Sequence, residues 1–266
     1  MNIADYIDGI NKKDEKVLSI FLTAGFPDKE NFAELALGVL EAGADMLEIG
    51  FPFSDPLADG PVIQYSSHQA IANGVNLSTV FEYIKIIKAE TAKPLILMGY
   101  ANPVLNYGVS KFLKKAKSAG ANGLIIPDVP LEEYDAFFGA DQSLTEIIML
   151  TVPSSSEERI KKIDAKSRGF LYCVSVNGVT GERQGFNEAA IESIRKTYEL
   201  VNNKMLIGFG ISNADSIKAV SPYCDGVIIG SAVIKKLTEL TKQGNNYSAV
   251  FDFIREMKQA CSGKLS

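Results

Sequence analysis

The sequence predicts an α/β fold, a (β/α)8 TIM barrel built as a single domain over residues 1–266. Three observations lead there. Eight short, near-continuous apolar runs recur along the chain. The stretches between them carry apolar residues at helical spacing. The span they cover, about 250 residues, is the length such a barrel takes.

The first run is Val17-Leu18-Ser19-Ile20-Phe21-Leu22. A helix follows over 30–42, where Phe32, Leu35, Ala36, Val39 and Leu40 recur every three or four residues and Gly43 supplies the stop. The second run is Met46-Leu47-Glu48-Ile49. An extra helical piece over Gln64 to Asn76 then precedes a main helix over Ser78 to Glu90. Leu95-Ile96-Leu97-Met98 is the third run, and Phe112, Leu113 and Ala116 mark a helix over 110–119 that stops at Gly120. The remaining runs begin at Gly123, Ile147, Phe170, Met205 and Gly226, and a last helical stripe carries Val250, Phe251, Ile254 and Met257. Each run is too short for a buried helix and apolar enough to be a parallel strand covered on both faces. A doubly wound open sheet fits the same alternation, because periodicity does not show closure.

Composition narrows the function. The chain is 46% hydrophobic, ample for a large core, and has a net charge of −5 from 27 basic and 32 acidic residues with no basic block, so nucleic acid is not an expected partner. No apolar run approaches the roughly 18 residues of a membrane span. The first residues, Met1 to Asp8, lack the pattern of an export signal. Cys173, Cys224 and Cys261 form no Cys-x-x-Cys pair and suit reduced thiols of a cytoplasmic protein. The one histidine, His68, stands alone in a polar segment, so it is expected on an exposed helix face, and no metal site is expected.

The chemistry concentrates in Leu47-Glu48-Ile49-Gly50-Phe51-Pro52-Phe53-Ser54-Asp55-Pro56-Leu57-Ala58-Asp59-Gly60. Glu48 interrupts an apolar run. Burying a carboxylate there is costly unless it is paired or its pKa rises, and a raised pKa is what a proton donor needs near neutrality. A strand-end Glu that bends out to solvent is the alternative. Barrel enzymes place chemistry at the C-terminal ends of their strands. Glu48, Asp59, Tyr100, Asp128, Tyr172 and the loop over 177–185 all fall on that rim. Gly208-Phe209-Gly210 and Gly230-Ser231-Ala232 follow the last two runs, where many such barrels hold phosphate on backbone N–H groups. Gly181 would add donors from a glycine-bearing loop suited to a lid.

The segment from Leu47 to Pro61 resembles the signature of the tryptophan synthase alpha chain family. Similar matches run along nearly the whole chain: Phe21 to Asp28, Gly99-Tyr100-Ala101-Asn102-Pro103, Pro127-Asp128-Val129-Pro130, Gly178-Val179-Thr180-Gly181 and the two glycine segments above. The resemblance implies a lyase of amino-acid biosynthesis that cleaves indole-3-glycerol phosphate to indole and glyceraldehyde 3-phosphate. It also implies a beta chain partner in an alpha2beta2 heterotetramer, with pyridoxal phosphate in the beta chain and no cofactor in this one. One departure is Val176, where some members carry Arg.

By the same resemblance, Glu48 is the acid and base of a retro-aldol cleavage, and Asp59 accepts the indole N–H and remains ionised in its polar loop. Phe21, Leu97, Leu124 and Tyr172 would line the slot for the ring, with Tyr100 supporting. Thr180, Gly181, Gly210, Gly230 and Ser231 would hold the rest of the substrate. Pro52, Phe53, Asp55 and Pro56 are expected to protrude toward the beta chain. A self-sufficient indole-releasing lyase, a phosphate-binding barrel isomerase and a catalytically silent activator subunit are the competing expectations.

Overall fold

The computed structural model describes residues 2–175, 186–240 and 247–263. Its elements run α1 (Ile3–Asn11), β1 (Val17–Thr23), α2 (Phe32–Glu41), β2 (Met46–Gly50), α3 (Pro61–Ala72), α4 (Leu77–Glu90), β3 (Leu95–Met98), α5 (Ala101–Tyr107), α6 (Val109–Ala119) and β4 (Gly123–Ile125). They continue with α7 (Tyr134–Phe138), β5 (Glu146–Thr151), α8 (Glu157–Lys166), β6 (Leu171–Val174), α9 (Glu188–Leu200), β7 (Met205–Gly208), α10 (Ala214–Val220), β8 (Gly226–Ile229), α11 (Ser231–Leu240) and α12 (Ser248–Cys261).

The eight strands pair in parallel and in chain order, and β1 closes on β8 through Val17↔Gly226 and Ile20↔Ile229. The sheet is therefore a barrel and not the doubly wound alternative. All eight expected runs are strands, within a residue or so at each end. They are buried along nearly their whole length, because the barrel interior covers one face and the helices the other. Asn76 caps α4 by accepting from the N–H groups of Ser78 and Thr79, and Gly120 ends α6 with φ +104. The C-terminal stripe differs in one residue. Phe253, not Phe251, is buried beside Ile254 and Met257, while Phe251 is half-buried and packs over Gly38.

Helix α1 was not anticipated from the sequence. Asn2 caps it, the N–H of Ile3 donates to Glu146 Oε2 at 3.0 Å, and the Ile3 side chain lies beside Gly123 with Ile96 and Ile148. It seals the N-terminal end of the barrel with apolar groups. That end also carries buried acids matched to cations. Asp45 accepts from the Leu18 N–H and pairs with Lys258 at 2.9 Å. Asp225 accepts from the Met205 N–H and lies 3.6 Å from Lys204. Among the described residues no helix is long and apolar enough to cross a membrane.

The contact of Gly123 with Ile96 and Ile148 fixes which strand residues face inward. Side chains alternate along a strand. Ile96 and Met98 thus share the inner face of β3, and Leu97 points outward. On β4, Leu124 follows inward Gly123 and also points outward.

Candidate active site

Glu48 is fully buried on β2, in register with Phe21 of β1 and Ile96 of β3. It does not bend out to solvent. Ser19, also fully buried, donates from Oγ to Glu48 Oε1 at 3.0 Å. Oε2 is buried with no hydrogen-bond partner among the described residues. Loss of water around the charged form pushes the Glu48 carboxyl up to about 8, against the opposing pull of the Ser19 hydroxyl.

Asp59 sits in the loop between β2 and α3, half-buried. Tyr100, the residue preceding α5, donates its hydroxyl to Asp59 Oδ2 at 2.8 Å and accepts from the Ala58 N–H at 3.1 Å. Asp128 in turn accepts from the Ala101 N–H at 2.9 Å, holding the start of α5 behind Tyr100. Burial pushes the Asp59 carboxyl up to about 6, and the Tyr100 hydrogen bond opposes it. Asp59 is thus mostly ionised at pH 7, but it is less solvated than a polar loop implied. The Tyr100 hydroxyl is raised, by burial first and then by the Asp59 charge.

Phe21, Tyr100 and Asp59 meet in a small recess lined also by Met98 and Pro127. Tyr172 is buried on β6, and its hydroxyl is raised well above its ordinary value, first by burial and then by the negative charges of Glu48 and Asp59. It therefore stands within electrostatic reach of both acids. Two glycines make room for these rings. A Cβ on Gly50 would lie 2.5 Å from the Phe21 ring, and one on Gly208 would lie 2.0 Å from the Tyr172 hydroxyl.

A cavity of about 560 Å3 opens beside Asp59, and Met98, Ile126, Leu150, Val174 and Phe209 contribute to its walls. Leu97 and Leu124 do not line it. They follow inward Ile96 and Gly123 by one position and face the helices; the cavity is bordered instead by Met98, on the inner face of β3, and by Ile126, one residue past the end of β4. A strand apolar on both faces hides its phase. Only the position of a known inward neighbour, here Gly123 against Ile96, reveals it. Phe209 gave a weak signal by standing between two glycines. It adopts φ +67 and meets the Tyr172 ring edge-on at 6.2 Å between centroids.

At the ends of β7 and β8 the glycine segments form neighbouring loops. Gly210 has φ +80 and is exposed. Buried Ser175, at the end of β6, anchors this turn by donating to the carbonyls of Gly208 and Phe209. Gly230 leads directly into α11, whose first turn begins at Ser231. The first N–H groups of a helix lack intrahelical partners and favour an anion. Thr180, Gly181, Val176 and the expected lid over 177–185 lie outside the described residues.

The loop after β2 is tied down more firmly than expected. Ser67 of α3 accepts from the Phe53 N–H and donates to the Phe53 carbonyl, both at 2.9 Å. Gln64 donates to the Asp59 carbonyl at 2.9 Å. His68, exposed on α3 as anticipated, reaches the Ser54 carbonyl at 3.0 Å. Of the residues expected to protrude, only Asp55 is exposed. Pro52 and Phe53 are half-buried and Pro56 is buried, because Phe53 stacks on Tyr100 and Pro56 turns inward beside Asp59. The residue that projects is Leu57, 87% exposed.

The family model described as tryptophan synthase alpha chain matches residues 7–262. The tryptophan synthase alpha chain of Flavobacterium psychrophilum is 42% identical over 255 residues, 93% of this chain and 98% of that one. That of Petrotoga mobilis is 44% identical over 228 residues, 85% and 88% of the two chains. Among solved structures, the Legionella pneumophila alpha chain superposes with a TM-score of 0.90 at 30% identity, covering 99% of this chain and 98% of that one. A tryptophan synthase structure from Mycobacterium tuberculosis, in an aminoacrylate-bound form, gives 0.85 at 27% identity over 97% and 98%. The chain belongs to the tryptophan synthase alpha chain family, whose activity is the carbon–carbon lyase step that cleaves indole-3-glycerol phosphate in tryptophan biosynthesis.

Proposed function

We propose that Glu48 and Asp59 perform the family's cleavage in this chain, Glu48 as acid and base and Asp59 as the acceptor of the indole N–H. The bond to break joins C3 of the indole ring to a carbon bearing a hydroxyl. Glu48 gives its proton to C3, and the ring nitrogen becomes cationic. Asp59, as a carboxylate, stabilises that cation through its N–H. The hydroxyl then returns a proton to Glu48 as the carbon–carbon bond breaks. Its oxygen becomes the aldehyde of glyceraldehyde 3-phosphate, and the bonding electrons restore the aromatic indole. Glu48 ends protonated as it began.

The observation that carries this reading is the opposite state of two acids at one rim. Glu48, pushed up to about 8, holds a proton at neutral pH, while Asp59, at about 6, has lost one. Two carboxyls driven apart by their surroundings are the usual mark of an acid and its charged companion. The cavity beside Asp59 takes the ring, and Gly210, Gly230 and Ser231 take the phosphate, with Thr180 and Gly181 assigned by resemblance alone. These steps use only groups of this chain. The test is single-turnover cleavage by Glu48→Gln and Asp59→Asn, with binding of glycerol phosphate measured alongside. Near-normal turnover in either variant removes that residue from the mechanism.

The reading extends to a beta chain holding pyridoxal phosphate, which receives the indole in an alpha2beta2 assembly. Exposed Leu57 and Asp55, which flank buried Pro56 in the loop that carries Asp59, suit that contact. A cytoplasmic location fits three buried free cysteines.

A further inference from the structure

We propose that Ser19 is a positioning residue for the cleavage: its hydroxyl holds Oε1 of Glu48 and leaves Oε2 as the oxygen that exchanges the proton. The inference rests on Glu48 being the acid and base. It starts from an asymmetry between the two oxygens of one buried carboxyl. Oε1 accepts from Ser19 at 3.0 Å, and Oε2 has no partner among the described residues although it too is buried. A neutral carboxyl carries one proton. With Oε1 occupied by a donated hydrogen bond, that proton belongs on Oε2, so the free oxygen is also the donor.

The surroundings leave Ser19 to set this. Ile96 of β3 pairs with Glu48 in register, and Met98 shares its inward face. Toward the N-terminal end the barrel is filled by Ile3, Ile96 and Ile148. Phe21 is paired with Glu48 on the β1 side. The ionisable groups brought to this region are Tyr172 of β6 and Asp59 of the loop, and the Tyr172 hydroxyl is raised first by burial and then by the charges of Glu48 and Asp59; Cys173, the next residue on β6, points to the opposite face. The hydrogen bond given to the Glu48 carboxyl comes from Ser19 alone among the described residues. In an otherwise apolar strand, Val17-Leu18-Ser19-Ile20-Phe21-Leu22, this serine has no other evident reason to be polar. A hydroxyl buried without a partner costs stability, and here its partner is the acid.

The hydroxyl also favours the charged carboxyl, opposing burial. Removing it raises the pH at which Glu48 loses its proton. The test is Ser19→Ala, read in two ways. The alkaline limb of kcat for indole-3-glycerol phosphate is followed from pH 6 to 10. Separately, the carboxylic acid stretch of Glu48 is titrated by difference infrared spectroscopy without substrate, the band being assigned by its loss in Glu48→Gln. The expected result is that limb and infrared midpoint both rise by about 0.5–1 in pH, the size of one hydrogen bond to a carboxylate. Ser19→Thr keeps the hydroxyl and should leave both at the wild-type pH. An unmoved infrared midpoint in Ser19→Ala overturns the proposal. A midpoint that moves while the rate limb stays fixed overturns Glu48 as the acid, and Ser19's part in turnover with it, while the hydrogen bond itself stands.

Discussion

Buried acids at the two ends of the barrel are treated in opposite ways. At the N-terminal end, Asp45 and Asp225 each accept a backbone N–H and each face a lysine, Lys258 and Lys204. At the C-terminal rim, the hydrogen bonds to the carboxyls of Glu48 and Asp59 come from hydroxyls, Ser19 and Tyr100. A cation makes a buried carboxylate a structural clamp. A hydroxyl satisfies one oxygen and leaves the proton free to come and go. In the proposed mechanism a carboxyl thus serves stability at one end and chemistry at the other, and the donor beside it decides which.

The largest effect that would sharpen this contrast is at Glu48. Glu48→Gln should lose about 10²–10⁴ in turnover, the usual worth of a positioned acid or base, while the barrel remains folded. It should also change the pH dependence of stability. The native Glu48 keeps its proton up to about 8, whereas the unfolded chain releases it near the ordinary 4.5. Wild-type stability attributable to Glu48 is therefore full below about 4.5 and is lost as pH rises through about 8. Glu48→Gln lacks that slope, so relative to wild type it should gain roughly 3 kcal/mol between pH 5 and pH 8, read from urea unfolding. An unchanged difference between the two pH values would mean that Glu48 titrates normally.

At the opposite end, Asp45→Ala should cost about 3 kcal/mol in urea unfolding, because Lys258 and the Leu18 N–H lose a buried partner. Turnover per folded molecule should stay near wild type. A large loss of turnover with little loss of stability would erase the distinction between the two ends.

How far this contrast was visible in the sequence depended on the residue. Glu48 stood out because a charge interrupts an apolar strand, and Asp59 because its segment matches a family signature. The eight strands were legible because both faces of each are buried. That same property hid the phase of β3, so Leu97 is expected where Met98 borders the cavity; it also hid where β4 ends, so Leu124 is expected where Ile126, just past the strand, borders it. Ser19 was silent, since one serine in a strand gains meaning only from a partner 29 residues away. Helix α1 was missed because two apolar residues, Ile3 and Ile7, make a weak pattern until a barrel exists for them to seal. Asp45 and Asp225 gave no signal in the sequence, because the lysines that face them, Lys258 and Lys204, are remote from or not patterned with them along the chain.

Smaller effects sharpen the account of the rim. Tyr100→Phe removes the donor to Asp59 and should move the acid limb of kcat upward from about 6 by about 0.5–1 in pH. The substrate phosphate also titrates near about 6, so a shift caused by this change, and not the limb itself, assigns Asp59. A limb that stays in place would remove Asp59 from that step. Leu57→Asp should weaken binding of the beta chain, measured by titration, yet leave this chain's own unfolding within about 0.5 kcal/mol, as expected for an exposed side chain. Unchanged affinity would move the contact elsewhere.

The most direct measurement is kcat/KM for indole-3-glycerol phosphate cleavage from pH 5 to pH 10, compared between wild type and Ser19→Ala. With Glu48 as the acid, the wild-type rate should fall tenfold per pH unit above about 8, and the break should move upward when Ser19 is lost. A rate that holds or climbs to pH 10 would contradict the account, because a carboxyl that must donate its proton cannot work once that proton is gone.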